Sequence, residues 1–140
     1  MAYARMKVHA AALLAALALC TVAHAQKGTP REHTWQRSTT AGQEVRIFTY
    51  VQQRSDCSQG PDPVVTIRTK PAHGTVSVRP GSVTVGPPRF GAVDCSGRTL
   101  SGQGIWFVPE PGFSGTDQFD YEVQFTNGVA HDTAMVEVKP

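Results

Sequence analysis

The sequence predicts an all-β protein, a β-sandwich of short strands closed by one disulfide and following an N-terminal signal peptide. Three observations predict it. Residues Asp117-Gln118-Phe119-Asp120-Tyr121-Glu122-Val123-Gln124-Phe125 alternate polar and apolar without a fault, the mark of a strand with one buried and one solvated face. Beyond the first twenty-five residues no stretch carries a helical period, and 13 Gly and 10 Pro punctuate the chain. Finally, the cysteines that remain after the leader number two, Cys57 and Cys95. Frequent turns between short strands over about 100 residues indicate a sandwich, although period alone also admits a small barrel.

The leader comes first. Met1 to His9 holds Arg5 and Lys7 with no acid, Ala10 to Val22 is apolar, and Ala23-His24-Ala25 supplies small residues where a signal peptidase cuts. The apolar run falls short of the roughly 20 residues that span a bilayer, and no second candidate follows, so no integral membrane segment is expected once residues 1–25 are removed. Cleavage at Cys20 for lipid attachment is disfavoured because Leu19 before it is bulky. The expected setting is therefore the periplasm or the exterior.

Removal of the leader takes Arg5 and Lys7 with it, leaving eleven basic residues against eleven acidic. Such neutrality gives no electrostatic footprint for nucleic acid. The charges are nonetheless segregated: Lys27 to Arg98 is mostly basic and Leu100 to Pro140 mostly acidic. Cys20 also departs, and in an oxidising compartment Cys57 and Cys95 are expected to pair. The crosslink closes a loop of about 38 residues, worth roughly 3–4 kcal/mol of chain entropy.

Residues 26–40 are polar and without period, and read as a flexible or loosely docked lead-in to a domain over 41–140. Val45 to Val51 (VRIFTYV) is β-branched and aromatic throughout, so its register stays open. Val64 to Thr69 and Thr75 to Arg79 alternate around Lys70-Pro71-Ala72-His73-Gly74, which predicts a hairpin with Val65, Ile67, Val76 and Val78 inward. Pro80-Gly81 is expected to break the second strand. The segment from about 80 to 104, carrying Cys95, reads as an inserted loop tied back to Cys57. At the C-terminus, Asn127-Gly128 predicts a type I′ turn, and Ala134, Val136 and Val138 alternate on the returning strand.

Three blocks together resemble a bacterial Ig-like or cadherin-like domain. They are Pro71-Ala72-His73-Gly74-Thr75-Val76, then Ile105 to Val123 with Gly112-Phe113-Ser114-Gly115-Thr116-Asp117-Gln118-Phe119-Asp120-Tyr121, and finally Asp132 to Val138. The resemblance spans roughly Pro71 to Val138. It implies a Greek-key sandwich acting as a spacer or binding unit, seldom an enzyme. A single copy weakens the spacer role. The Phe125 to Gly128 turn lacks the carboxylates of calcium-binding relatives, and Asp117 with Asp132 is a thin start toward the six to eight oxygens that calcium takes. No metal or cofactor is therefore expected.

Residue patterns for catalysis are absent. Gly112-Phe113-Ser114-Gly115 has its second Gly one residue too early for a nucleophile elbow. His33, His73 and His131 form no metal-binding pair, and Asp120 with Glu122 are neighbours on one solvated strand face rather than a cleft pair. His73 and Gly74 are read as turn residues, with the His73 ring capping backbone groups, and Asp117 as an Asx-type corner accepting local N–H groups. Trp106, between inward Ile105 and Phe107, points to the outer face by period two and is the candidate for stacking on a sugar or anchoring a protein. The expected function is a non-catalytic exported module that binds a protein or glycan. A structural part of a surface assembly, joined through a free sheet edge, is the alternative.

Overall fold

The computed structural model describes residues 30–88 and 93–140; the expected signal peptide lies outside the described residues. Seven strands form two sheets: β1 (Arg31–Thr40), β2 (Val45–Val51), β3 (Val64–Thr69), β4 (Gly74–Thr84), β5 (Thr99–Pro109), β6 (Gly115–Phe125) and β7 (Gly128–Lys139). One sheet runs β1-β7-β6-β3 and the other β2-β5-β4. The two pack face to face as an all-β sandwich, as the alternation predicted.

The core forms where the alternating strands meet. Phe119, Tyr121 and Val123 of β6 and Ala134, Val136 and Val138 of β7 face Ile47 of β2 and Ile105 and Phe107 of β5, all buried. Each such large apolar side chain contributes on the order of 1.5–3 kcal/mol by leaving water. The ambiguous VRIFTYV run is explained by a β-bulge between Arg46 and Phe48. The extra residue lets Val45, Ile47, Phe48 and Tyr50 all contribute to the core, so the strand reads as apolar on both faces.

Several expectations are corrected. Residues 31–40 are not a lead-in but β1, paired in parallel with β7 from Arg31↔Ala130 to Thr40↔Lys139. Its polarity reflects an edge strand that half-buries Trp35, Arg37 and Thr39, with Trp35 alone of these apolar, and exposes the rest. Val64–Thr69 and Gly74–Thr84 do not form a hairpin: β3 pairs with β6, and β4 with β5 in the other sheet. Pro71 to His73 is thus a crossing between sheets. Pro80-Gly81 does not break β4, which stays in register with β5 through Pro80↔Gln103 and Gly81↔Gly102. An edge strand tolerates proline because one side of it needs no ladder bonds. The inserted loop shrinks accordingly to the connection between Thr84 and Thr99. Val78 registers with Ile105 as an inward residue would, yet remains 36% exposed at that edge.

The β6–β7 hairpin is present with Phe125↔Gly128 as its last pair. Its loop residues are therefore Thr126 and Asn127, neither at positive φ. A type I′ turn needs positive φ at both central positions, so the turn is of another kind, shifted one residue from the expected Asn127-Gly128 centre. The Thr126 N–H is held by the Gln52 side chain at 3.1 Å.

Cys57 and Cys95 are joined, with their Cα atoms 5.4 Å apart. Each sits inside an Asp-Cys-Ser turn. Asp56 accepts from the Ser58 N–H at 3.0 Å, and Asp94 from the Ser96 N–H at 3.0 Å. The serine hydroxyls donate to the same carboxylates and hold both below the usual carboxylate range. Cys57 adopts φ 65°, a left-handed conformation that costs a non-glycine residue roughly 1–2 kcal/mol.

Candidate functional site

The richest chemistry lies at one end of the sandwich, where β1 and β2 close its side. Strand period places His33, Trp35 and Arg37 on the inward side of β1, opposite Asp132, Ala134 and Val136 in the parallel register. The β2 bulge brings Phe48 and Tyr50 to the same side. Trp35 stacks on Phe48 with ring centroids 4.1 Å apart, and Phe48 meets Tyr50 edge-on at 4.8 Å. His33 covers the far edge of Trp35 at 4.3 Å. This aromatic ladder walls a cleft of about 860 Å³ that Phe125, Gln52, Gln53, Asn127 and Glu32 also line.

A hydrogen-bonded group anchors the ladder. The Trp35 indole N–H lies 2.8 Å from the Tyr50 hydroxyl and 3.1 Å from Asp132 Oδ2. Tyr50 donates to the same Asp132 oxygen, and the Tyr50 and Tyr121 hydroxyls are 2.9 Å apart. Asp132 is 4% exposed, and its Oδ1 has no hydrogen-bond partner among the described residues. Burial, then the bond to Asp132, pushes the Tyr50 phenol far above its ordinary pKa. Burial likewise raises Tyr121. Both phenols therefore stay neutral donors at physiological pH.

Trp106 lies on the outer face of the other sheet, between the buried Ile105 and Phe107, as period two requires. It is not an open platform. The Arg79 guanidinium sits 4.2 Å from the indole centroid and Arg46 5.8 Å from it, and the ring is only half-exposed. Its Nε1 leans over Gly104, where a Cβ would lie 2.9 Å away. Cys95 is buried at 4% exposure, so Trp106 and the disulfide do not form a shared exposed patch.

His73, Gly74 and Asp117 are brought together, and Asp117 accepts backbone N–H groups as expected, though over a longer reach. Asp117 accepts from the backbone N–H groups of Ala72 at 3.0 Å and His73 at 2.7 Å, besides Gln118 at 2.9 Å. Its carboxylate thus ties the sheet-to-sheet crossing to the start of β6 rather than capping a local turn alone. The His73 ring stacks on Phe113 at 4.3 Å and caps no backbone group among the described residues. Gly74 is needed for packing: a Cβ there would meet Phe107 Cε2 at 2.4 Å. Asn127 and Gly128 line the end cleft.

Asp117 and Asp132 are not neighbours, since one registers with Val136 and the other with Tyr121. Among the described residues no group of three or more His, Cys, Asp or Glu could hold a metal ion. No helix among them is long and apolar enough to cross a membrane.

The site residues that sequence reasoning missed are Trp35, Phe48, Tyr50 and Asp132. A signal for Asp132 was available. Extending the alternation of Val138, Val136 and Ala134 backwards puts a carboxylate on the buried face, an arrangement that demands a partner. Compared with known protein families and with curated protein sequences, the chain matches none.

Proposed function

We propose that this protein is an exported, non-catalytic Ig-like module that binds a protein or glycan partner through its end cleft. The observation that carries the reading is the cleft of about 860 Å³ with rigid aromatic walls and a rim of amide, imidazole and carboxylate side chains. Aromatic faces with a few fixed polar groups suit recognition, because the rings lose little conformational freedom on binding. The strand order supports the Ig-like reading, since the chain passes between sheets at β1–β2, β2–β3, β3–β4 and β5–β6. The disulfide suits an oxidising compartment.

The test compares retention of partners from an envelope extract, and of oligosaccharides on an array, by the protein lacking residues 1–25 and by two variants. Phe125→Ala, which removes a half-buried wall of the cleft, is expected to abolish retention, whereas Trp106→Ala is expected to preserve it. Equal retention by all three would sink the cleft as the binding site.

A second reading, assembly by strand addition, is favoured by the edge of β4, an eleven-residue strand that among the described residues pairs only with β5. Pro80 opposes it by removing a backbone donor midway along.

A further inference from the structure

We infer that the end cleft takes the lysine side chain of a protein partner, with Asp132 as the counter-charge. This deepens the proposed function and rests on its reading of the cleft.

Charge is the first ground. Among the described residues Asp132 makes no ion pair, and its neutral partners Trp35 and Tyr50 occupy only Oδ2. A carboxylate removed from water and left without a cation is costly, and the cost is relieved by an arriving positive charge. A second cavity of about 550 Å³ adjoins the first, and Glu32, His33 and Asp132 line both. That second cavity adds Asp120 and Glu122. The cations nearby are Arg31 at the first cavity, Arg37 over the Trp35 ring, and Arg68, the last bonded to Glu122 at 2.7 Å, three against the four carboxylates of Glu32, Asp120, Glu122 and Asp132. Negative charge is therefore in excess around Asp132.

The aromatic wall is the second ground. Rings of Trp, Tyr and Phe attract cations through their π faces, and the cluster already holds one: the Arg37 guanidinium lies 5.3 Å from the Trp35 centroid. A carboxylate of 4% exposure selects for a charge on a slender, flexible stem. Lysine provides one, its methylenes packing on the rings while the ammonium approaches the acid. Contact with Oδ1 itself is not required, because a carboxylate this deeply buried attracts an ammonium over several ångströms. An amino sugar carries its ammonium on a bulky hydroxylated ring and fits this entrance less well.

The test titrates Nα-acetyl-lysine methylamide into the protein, followed by Trp35 fluorescence in a Trp106→Phe background. A saturable change is expected, suppressed by added salt and absent with the Nε-acetylated probe. Asp132→Asn is expected to weaken binding about tenfold or more. Because that variant disturbs a buried network, Glu32→Gln on the exposed rim serves as the second probe, with an expected loss of about two- to threefold. Indifference to Nε-acetylation, unchanged affinity in both variants, no saturation, or binding of glucosamine in place of the lysine probe would each overturn the inference. Should the cleft variants abolish partner retention while the lysine probe fails, only this inference falls and the binding-module reading stands.

Discussion

Tyr50 joins three strands through one hydroxyl, which contacts Trp35 of β1, Tyr121 of β6 and Asp132 of β7. Tyr50→Phe removes that junction and leaves the carboxylate with the indole N–H alone, an expected loss of about 1–3 kcal/mol at neutral pH in a urea titration. The same residue sets an alkaline limit. Its folded pKa, and that of Tyr121, are raised above the ordinary value near 10. Above that pH the unfolded chain releases protons that the fold retains, so stability is complete below pH about 10 and declines as pH rises further. Unfolding followed between pH 9 and 11 is expected to show this decline, shallower by about one proton in Tyr50→Phe. An equal slope in the two proteins would contradict the assignment. Asp117 is a second junction of this kind. Asp117→Ala frees three backbone N–H groups and is expected to cost about 2 kcal/mol in the same assay.

At the level of elements, the legible strands were those that bury one face and solvate the other. β6 and the returning half of β7 announced themselves because Phe119, Tyr121 and Val123 go into the core while Gln118, Asp120 and Glu122 do not. β1 did not, because an edge strand packed mainly through Trp35 leaves no apolar row in the sequence; its pairing with β7 is a tertiary event. The β3–β4 connection looked like a hairpin because Pro71 and Gly74 suit a tight turn. The crossing to the other sheet is instead held by Asp117, more than forty residues away. The end cleft was illegible for the same reason, as Trp35, Tyr50 and Asp132 share no local pattern. Strand β5 carries a prediction of its own. A Cβ at Gly102 would lie 1.9 Å from the Tyr50 carbonyl oxygen, so Gly102→Ala forces β5 away from β2. A loss of more than about 2 kcal/mol is expected, whereas Gly86→Ala, with nothing within 4 Å, should stay within about 0.5 kcal/mol.

For the whole molecule, the sandwich partly cancels the segregation of charge along the chain. The acidic β6 lies beside β3, whose Arg68 bonds Glu122 and draws it below the usual carboxylate range. The disulfide acts at this scale too, closing a separation of 38 residues. Replacing both cysteines by serine is expected to lower stability by about 3–4 kcal/mol in a urea titration. It also frees Gln53, which lines the cleft and donates to Cys95 Sγ at 2.8 Å, so weaker partner binding is expected alongside. The parallel pairing of β1 with β7 has a practical side. The chain enters beside Ala130, at the mouth of the cleft, and leaves at Lys139 beside Thr40, about 30 Å away along a ten-residue strand. A bead, dye or surface attached after Pro140 therefore leaves the mouth pointing outward. The same handle placed just ahead of Arg31 would stand in the doorway.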